Sequence, residues 1–212
     1  MSLRIELEQV AKRYRHEWIF RRIDLTLESD RRYAITGPNG SGKSTLMRIL
    51  SGHLSPSRGA VRFYRDERHL DINELYRELA YAAPYIELIE ELTLEEAIDF
   101  HRRFQPLQAG LDTPGLIRLL GLRRARTKPV RFFSSGMKQR LKLALAICSD
   151  APLLLLDEPS TNLDQQGIEW YLDLISRYGV GRLIAVASNV AVDHQFCDQR
   201  IDVLQYKNRQ ES

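Results

Sequence analysis

The sequence predicts an α/β fold: a mostly parallel sheet with helices on both faces, an N-terminal antiparallel β subdomain and an inserted helical lobe. Three observations predict it. Tyr33 to Thr36, Leu153 to Leu156 and Leu183 to Ala187 are short, nearly continuous apolar runs, as in central strands covered on both faces. Leu3 to Gln9 and Ile23 to Leu27 alternate apolar and polar residues, as half-buried antiparallel strands do. Between Pro84 and Pro129 the pattern turns helical, with Leu92, Glu95, Glu96, Ile98, Asp99 and Phe100 in one amphipathic stretch and Leu116 to Leu122 in another. Ile201 to Leu204 is a candidate last strand.

At 212 residues the chain suits one domain over 1–212, with residues of about 85–135 as the inserted lobe. Apolar residues at 43% and charged residues at 28%, with 12 glycines and 8 prolines, exclude a collagen-like or disordered chain. The longest apolar runs, Leu143 to Cys148 and Leu153 to Leu156, fall well short of the ~20 residues of a spanning helix. The opening MSLRIELEQV lacks the apolar stretch of a secretory signal, so a cytoplasmic location is expected. Cys148 and Cys197 show no metal-ligand spacing and are expected to be buried thiols. A net charge of +3 gives no argument for nucleic acid, and no direct binding to it is expected. The lobe begins acidic (Glu87, Glu90, Glu91, Glu95, Glu96, Asp99) and ends basic (Arg123, Arg124, Arg126, Lys128, Arg131), so each run is either a solvated face or a docking surface.

The chemistry begins at residues 37–45, GPNGSGKST. Gly37, Gly42, Lys43 and Ser44 complete the G-x-x-x-x-G-K-[ST] pattern, with an apolar strand running in and an amphipathic helix running out toward Gly52. Glycines let the backbone of Gly37, Pro38, Asn39, Gly40, Ser41, Gly42 and Thr45 wrap closely enough for N–H groups to meet phosphate oxygens. The helix start adds its positive end. Lys43 is expected to reach the β- and γ-phosphates and Ser44 to ligate Mg²⁺, so the sheet is expected to be a P-loop NTPase core.

Residues 153–158, LLLLDE, bring Asp157 and Glu158 to the carboxyl end of a buried strand, where open α/β sheets place ligands. Asp157 is assigned to Mg²⁺ through its water shell. Glu158 is assigned to the water that attacks the γ-phosphate, as general base.

With these motifs in this order, nearly the whole chain resembles the ATP-binding subunit of an ABC (ATP-binding cassette) transporter. Residues 133–140, FSSGMKQR, are similar to that family's LSGGQ signature, and STNLD at 160–164 resembles its D-loop. Ser134, Ser135 and Gly136 precede a helix with Met137, Leu141, Ala144, Leu145 and Cys148 on one face, where a Ser cap and free N–H groups make an anion site. The resemblance implies that two subunits pack head to tail, as a homodimer or a pair of cassettes. Each ATP then lies between one phosphate loop and the other copy's signature, with Asp164 coupling the two sites. It further implies that Tyr14 stacks on adenine, with Trp18 a competing stacker.

Two family positions are altered. The Q-loop glutamine falls at Pro84, whose side chain offers no ligand, leaving that position to water or to a backbone carbonyl. The switch histidine is Asn189, which can hydrogen-bond a γ-phosphate oxygen but takes up no proton at neutral pH, while His194 lies five residues further on. The signature also carries Ser135 and Met137 where glycine and glutamine are usual. Slow turnover is the expectation.

The function expected is an ATP-hydrolysing subunit peripheral on the inner face of the cell membrane, driving integral membrane transporter subunits that choose the cargo. The acidic stretch after Pro84 sits where the family meets its membrane partners. Two alternatives stand beside it: a soluble cassette ATPase acting on nucleic acid or ribosomes, and a nucleotide-gated module with little hydrolysis.

Overall fold

The computed structural model describes residues 2–207. The chain divides into two compact units, one holding the described residues up to Leu79, Pro152–Glu158 and the chain from Gly181, the other Ala80–Ala151 and Pro159–Val180. The first unit opens with β1 (Leu3–Tyr14), β2 (Glu17–Glu28), β3 (Arg32–Thr36), α1 (Lys43–Leu50), β4 (Arg58–Arg65), β5 (Arg68–Leu70) and α2 (Ile72–Arg77). The second begins within β6 (Leu79–Ala82) and adds α3 (Leu94–Phe104), α4 (Thr113–Leu120) and α5 (Ser135–Ile147). Next, β7 (Leu153–Asp157) belongs to the first unit and α6 (Gln165–Tyr178) to the second, before β8 (Leu183–Ala187) and β9 (Gln199–Asp202) complete the first.

In the first unit β2, β1, β4 and β5 form an antiparallel sheet in that order, while β7, β8, β3 and β9 lie side by side in a parallel sheet. The parallel strands carry the core: every residue of β8 and Leu153, Leu154, Leu155 and Leu156 of β7 are fully buried. Their register sets Asp157 opposite Ala187 and Ala187 opposite Ile35, so the strand ends form a single edge. Open α/β sheets place ligands at such an edge.

Several element limits differ from the sequence expectation. β1 runs on to Tyr14 because its pairing with β2 slips after Leu7, after Val10 and after Lys12, which breaks the period of two. Gln9, at the first slip, takes a left-handed φ of 49°. The last strand is Gln199–Asp202 rather than Ile201 to Leu204, because the Asp202 carboxylate accepts the Leu204 N–H at 3.0 Å and starts a 3₁₀ turn. The second amphipathic stretch of the lobe stops at Leu120, where Gly121 turns left-handed at φ 70°. Cys148 is buried as expected, whereas Cys197 is half-buried, with its thiol pushed up to about 12 chiefly by burial.

Caps fix the helices of the second unit. Thr93 and Glu96 form a capping box on α3, and the carboxylates of Asp112 and Asp164 accept N–H groups of α4 and α6. The acidic and basic runs of the lobe partly neutralise each other: Glu95 accepts the Arg126 Nε–H at 2.7 Å. Lys138 of α5 pairs with Glu90 at 2.5 Å. No helix of the described residues is long and apolar enough to cross a membrane.

Leu155 is fully buried at the centre of β7, so Leu155→Ala is expected to destabilise the protein by about 2–5 kcal/mol, read as a lower urea midpoint at unchanged slope. A loss below about 1 kcal/mol would show that the strand is not part of a close-packed core.

Candidate nucleotide-binding site

Residues 37–42 make a loop between β3 and α1 whose shape depends on glycine. Gly42 is the N-cap of α1 at φ 108°, and a Cβ there would lie 2.4 Å from the Ile19 side chain. Gly37 has φ 145°, with the Ser41 hydroxyl 2.6 Å from where its Cβ would stand. Any other residue at Gly42 would both strain the backbone and displace β2. No side chain caps α1, so its first N–H groups stay open at the loop. Lys43 is only 5% exposed, and its ammonium donates to the carbonyls of Gly37 at 3.0 Å and Pro38 at 3.4 Å. Ser44 is exposed at the helix start.

Asp157 ends β7 at 1% exposure, and neither carboxylate oxygen accepts a hydrogen bond of good geometry. Burial raises its pKa most, the nearby Ser44 hydroxyl opposes that, the Glu158 charge raises it further, and Lys43 and Arg48 draw it down. The net direction is up. A buried carboxylate with open oxygens beside a hydroxyl and a lysine is the donor set a hard divalent cation takes, with water completing it. The residues present therefore fit Mg²⁺ with a phosphate chain. No cluster of three or more His, Cys, Asp or Glu side chains able to hold a metal occurs among the described residues, so such an ion depends on those added ligands.

Glu158 follows in a left-handed conformation at φ 47°, with its N–H donating to the Ala187 carbonyl at 2.8 Å. Proline at 159 disfavours a helical conformation in the preceding residue, so the backbone there is strained by roughly 1–3 kcal/mol. Asn189, just beyond β8, donates from Nδ2 to the Asn39 side-chain carbonyl at 3.4 Å, which joins the switch position to the phosphate loop. Its turn is set by Ser188, whose hydroxyl donates to the buried Asp193 at 2.6 Å and accepts the Val190 N–H at 3.0 Å. A concavity of about 320 Å³ at this edge is lined by Gly37, Pro38, Asn189, His194 and Arg200. His194 thus lies near the loop despite its sequence offset. Arg200, whose Nε–H donates to Thr36 at 3.0 Å, was not singled out by sequence, since nothing local marks a lone arginine on an edge strand.

Tyr14 is 45% exposed at the end of β1, with the Lys12 ammonium 5.5 Å from its ring. Lys12 pairs with Phe20, which packs beside Gly42, so this sheet face is the one toward the phosphate loop. Trp18 pairs with Arg13 and projects from the opposite face, so it does not compete with Tyr14.

The remaining expected residues lie in the second unit. Ser134 caps α5, its hydroxyl accepting the Met137 N–H at 3.2 Å, while Ser135 is exposed and a Cβ on Gly136 would stand 3.0 Å from the Asn162 carbonyl. Asp164 accepts the Gly167 N–H at 2.7 Å as the cap of α6. The buried Gln139 amide donates to the Pro159 carbonyl at 2.8 Å. Pro84 is exposed, and its carbonyl accepts from Lys142 at 3.2 Å, so the backbone oxygen that could stand in for the absent glutamine is already engaged.

Residues 20–161 match the profile of the family described as "ABC transporter". Over 184 residues the chain is 32% identical to the cytochrome c biogenesis ATP-binding export protein CcmA of Nitrosococcus oceani, covering 86% of this chain and 84% of CcmA. It is 30% identical over 199 residues to the uncharacterized ABC transporter ATP-binding protein YxlF of Bacillus subtilis, covering 92% of this chain but only 66% of YxlF. The fold matches the dimeric post-hydrolysis structure of the cassette MJ0796 bound to ADP and Pi, with a TM-score of 0.81, 22% identity and 98% of each chain covered. The profile match, the glycine-dependent phosphate loop and the buried Asp157 agree: the chain belongs to the ABC transporter family of ATP-binding proteins.

Proposed function

We propose that this chain binds and hydrolyses ATP as the cassette subunit of a transporter, working as a head-to-tail pair around two Mg-ATP and driving membrane-spanning subunits from the cytoplasmic face. The observation that carries the reading is the set of groups at the carboxyl edge of the parallel sheet: an open phosphate loop, a buried lysine, an unsatisfied Asp157 and a strained Glu158. Lys43 exchanges the carbonyls of Gly37 and Pro38 for phosphate oxygens, a stronger charge-assisted pairing. Ser44 and Asp157 would hold Mg²⁺, which would neutralise charge on the phosphates. Glu158 accepts a proton from the attacking water. Asn189 holds one hydrogen bond without a titrating group, and Pro84 brings no side-chain ligand, so the chain's own residues orient the water weakly and turnover is slow. Tyr14 offers an exposed ring for adenine.

Ser134, Ser135 and Gly136 offer the second phosphate surface to the nucleotide of the opposing copy, and the dimeric state of the matched cassette supports this. The membrane partner is expected on the second unit, at an apolar hollow of about 210 Å³ lined by Ile89, Phe100 and Phe104 with Glu87 at its edge. Phe104 is 69% exposed, a large apolar surface that suits a cationic, partly apolar cytoplasmic loop.

Lys43→Ala is expected to weaken ATP binding at least tenfold in equilibrium dialysis. Glu158→Gln is expected to keep ATP affinity, lose about 10²–10⁴ in turnover and accumulate as a dimer on size exclusion in ATP. Equal turnover in parent and variant would remove Glu158 from the chemistry. Asn189→His is expected to raise turnover and introduce a pH-dependent step near about 6.5 that the parent lacks.

Asp157 gives a stability prediction of definite sign. Its folded pKa is raised, so its contribution to stability is present below the ordinary Asp value of about 3.9 and is lost as pH rises through the raised folded value. Asp157→Asn removes the buried charge. At pH 8 without nucleotide the variant is expected to melt above the parent, and to lose the gain in melting temperature that Mg-ATP gives the parent. A variant that melts below the parent would show that the carboxylate stabilises the fold.

A further inference from the structure

The segment that leads into Ser134 presents one large ring to solvent in a fixed position. Val130–Phe132 form a single 3₁₀ turn after Pro129, in which the Phe132 N–H donates to the Pro129 carbonyl at 3.1 Å and the Phe133 N–H to that of Val130 at 2.9 Å. Such a turn stacks every third side chain, so Val130 and Phe133 share one side, and both are buried, at 0% and 6% exposure. Arg131 and Phe132 are thereby turned outward. The turn is also pinned from behind, because the Val130 and Arg131 N–H groups donate to the carbonyls of Leu92 and Glu90, each at 2.9 Å. Phe132 is left 58% exposed, with the Arg131 guanidinium 4.9 Å from its ring centroid. That guanidinium takes one face of the ring and leaves the other to a planar partner.

Phe132 does not line the apolar hollow of Phe100 and Phe104. Its neighbours along the chain are Ser134 and the exposed Ser135, which belong to the second phosphate surface. Tyr14 repeats the arrangement in the first unit: it is 45% exposed, has the Lys12 ammonium 5.5 Å from its ring and stands on the sheet face toward the phosphate loop. Each of the two phosphate surfaces therefore has beside it one exposed aromatic ring with a cation at one face. One ring is too small an area to carry a protein interface. A nucleotide base needs no more than one ring face, and stacking of this kind accepts any base.

We propose that Phe132 stacks on the adenine of the nucleotide held by the opposing copy, so that base recognition is divided between Tyr14 of one copy and Phe132 of the other. The proposal rests on the head-to-tail reading above and adds a base contact to the phosphate contacts of Ser134 and Ser135. Phe132 then meets the base only when two copies close.

Glu158→Gln supplies the background for the test, since it is expected to keep ATP without turning it over. Adding Phe132→Trp introduces an indole beside the chain's two tryptophans, and Glu158→Gln alone gives the blank. ATP is expected to quench the added indole only at protein concentrations where size exclusion shows a dimer, and inorganic tripolyphosphate, which has no base, is expected to leave it unchanged. Phe132→Ala, shown to be folded by an unchanged thermal melt, is expected to weaken ATP-driven dimerisation by about fivefold or more, and Phe132→Tyr to restore it. A dimer that forms in ATP with no change in the added indole, or that forms equally well in Phe132→Ala, would overturn the proposal and leave the head-to-tail reading standing. Quenching at concentrations where only the monomer is present would set the ring against the nucleotide of its own copy, which overturns it too. Failure of Glu158→Gln to dimerise in ATP would remove the head-to-tail reading itself, and the proposal with it.

Discussion

The nucleotide edge rests on a carboxylate that the fold buries and does not satisfy. Asp157 sits at 1% exposure with both oxygens open, beside a lysine at 5% exposure whose ammonium leans on loop carbonyls. Removing an ionised carboxylate from water without donors costs several kcal/mol. That cost is sustained by what precedes it, four fully buried leucines clamped against an equally buried β8. The apolar strand is therefore more than a route to the site. It is the source of the free energy that keeps an unsatisfied charge where a cation and phosphates can claim it.

The same reasoning explains what was legible in the sequence. A phosphate loop must be written in glycine because Ile19 and Ser41 leave no room for a Cβ, so the fixed spacing appears directly in the chain. A strand buried on both faces must be continuously apolar and helix starts favour Asp, Ser or Thr, so LLLLDE and the Ser134 cap were legible, while the caps at Thr93, Asp112 and Asp164 were not read. Less was visible where pairing rather than pattern makes the strand. β4 buries only Phe63 among Arg58–Arg65, and β5 has three residues, so neither shows a clear period. β1 past Gln9 is hidden by its own bulge, since a one-residue slip inverts the alternation that reveals a strand. The position of Arg200 was invisible for the same reason: only the parallel pairing of β3 with β9 brings it to Thr36.

The altered positions become coherent when local bonding is considered. Pro84, where a glutamine was expected, has its carbonyl taken by Lys142 of α5. One turn earlier on the same helix, Lys138 holds Glu90. This segment is therefore tied to the helix that begins at the signature, by charge-assisted contacts that do not involve a nucleotide. Asn189 follows a similar logic: its contact with Asn39 keeps a hydrogen-bonding group at the phosphate loop while removing proton exchange. Both positions keep a hydrogen-bonding backbone or amide group and lack a ligating or titrating side chain.

Glu158 shows why placement matters most at one residue. The division between the two compact units falls between Glu158 and Pro159, so the proposed base is the last residue of one unit and its successor the first of the other. Its N–H is held by Ala187 at the end of β8, and the carbonyl of the following proline is held by Gln139 in the signature helix. A left-handed residue before proline relaxes toward extended backbone unless both flanks are fixed. Both flanks of Glu158 are fixed, which keeps the residue left-handed. The strain is therefore held by hydrogen bonds on both sides of the residue.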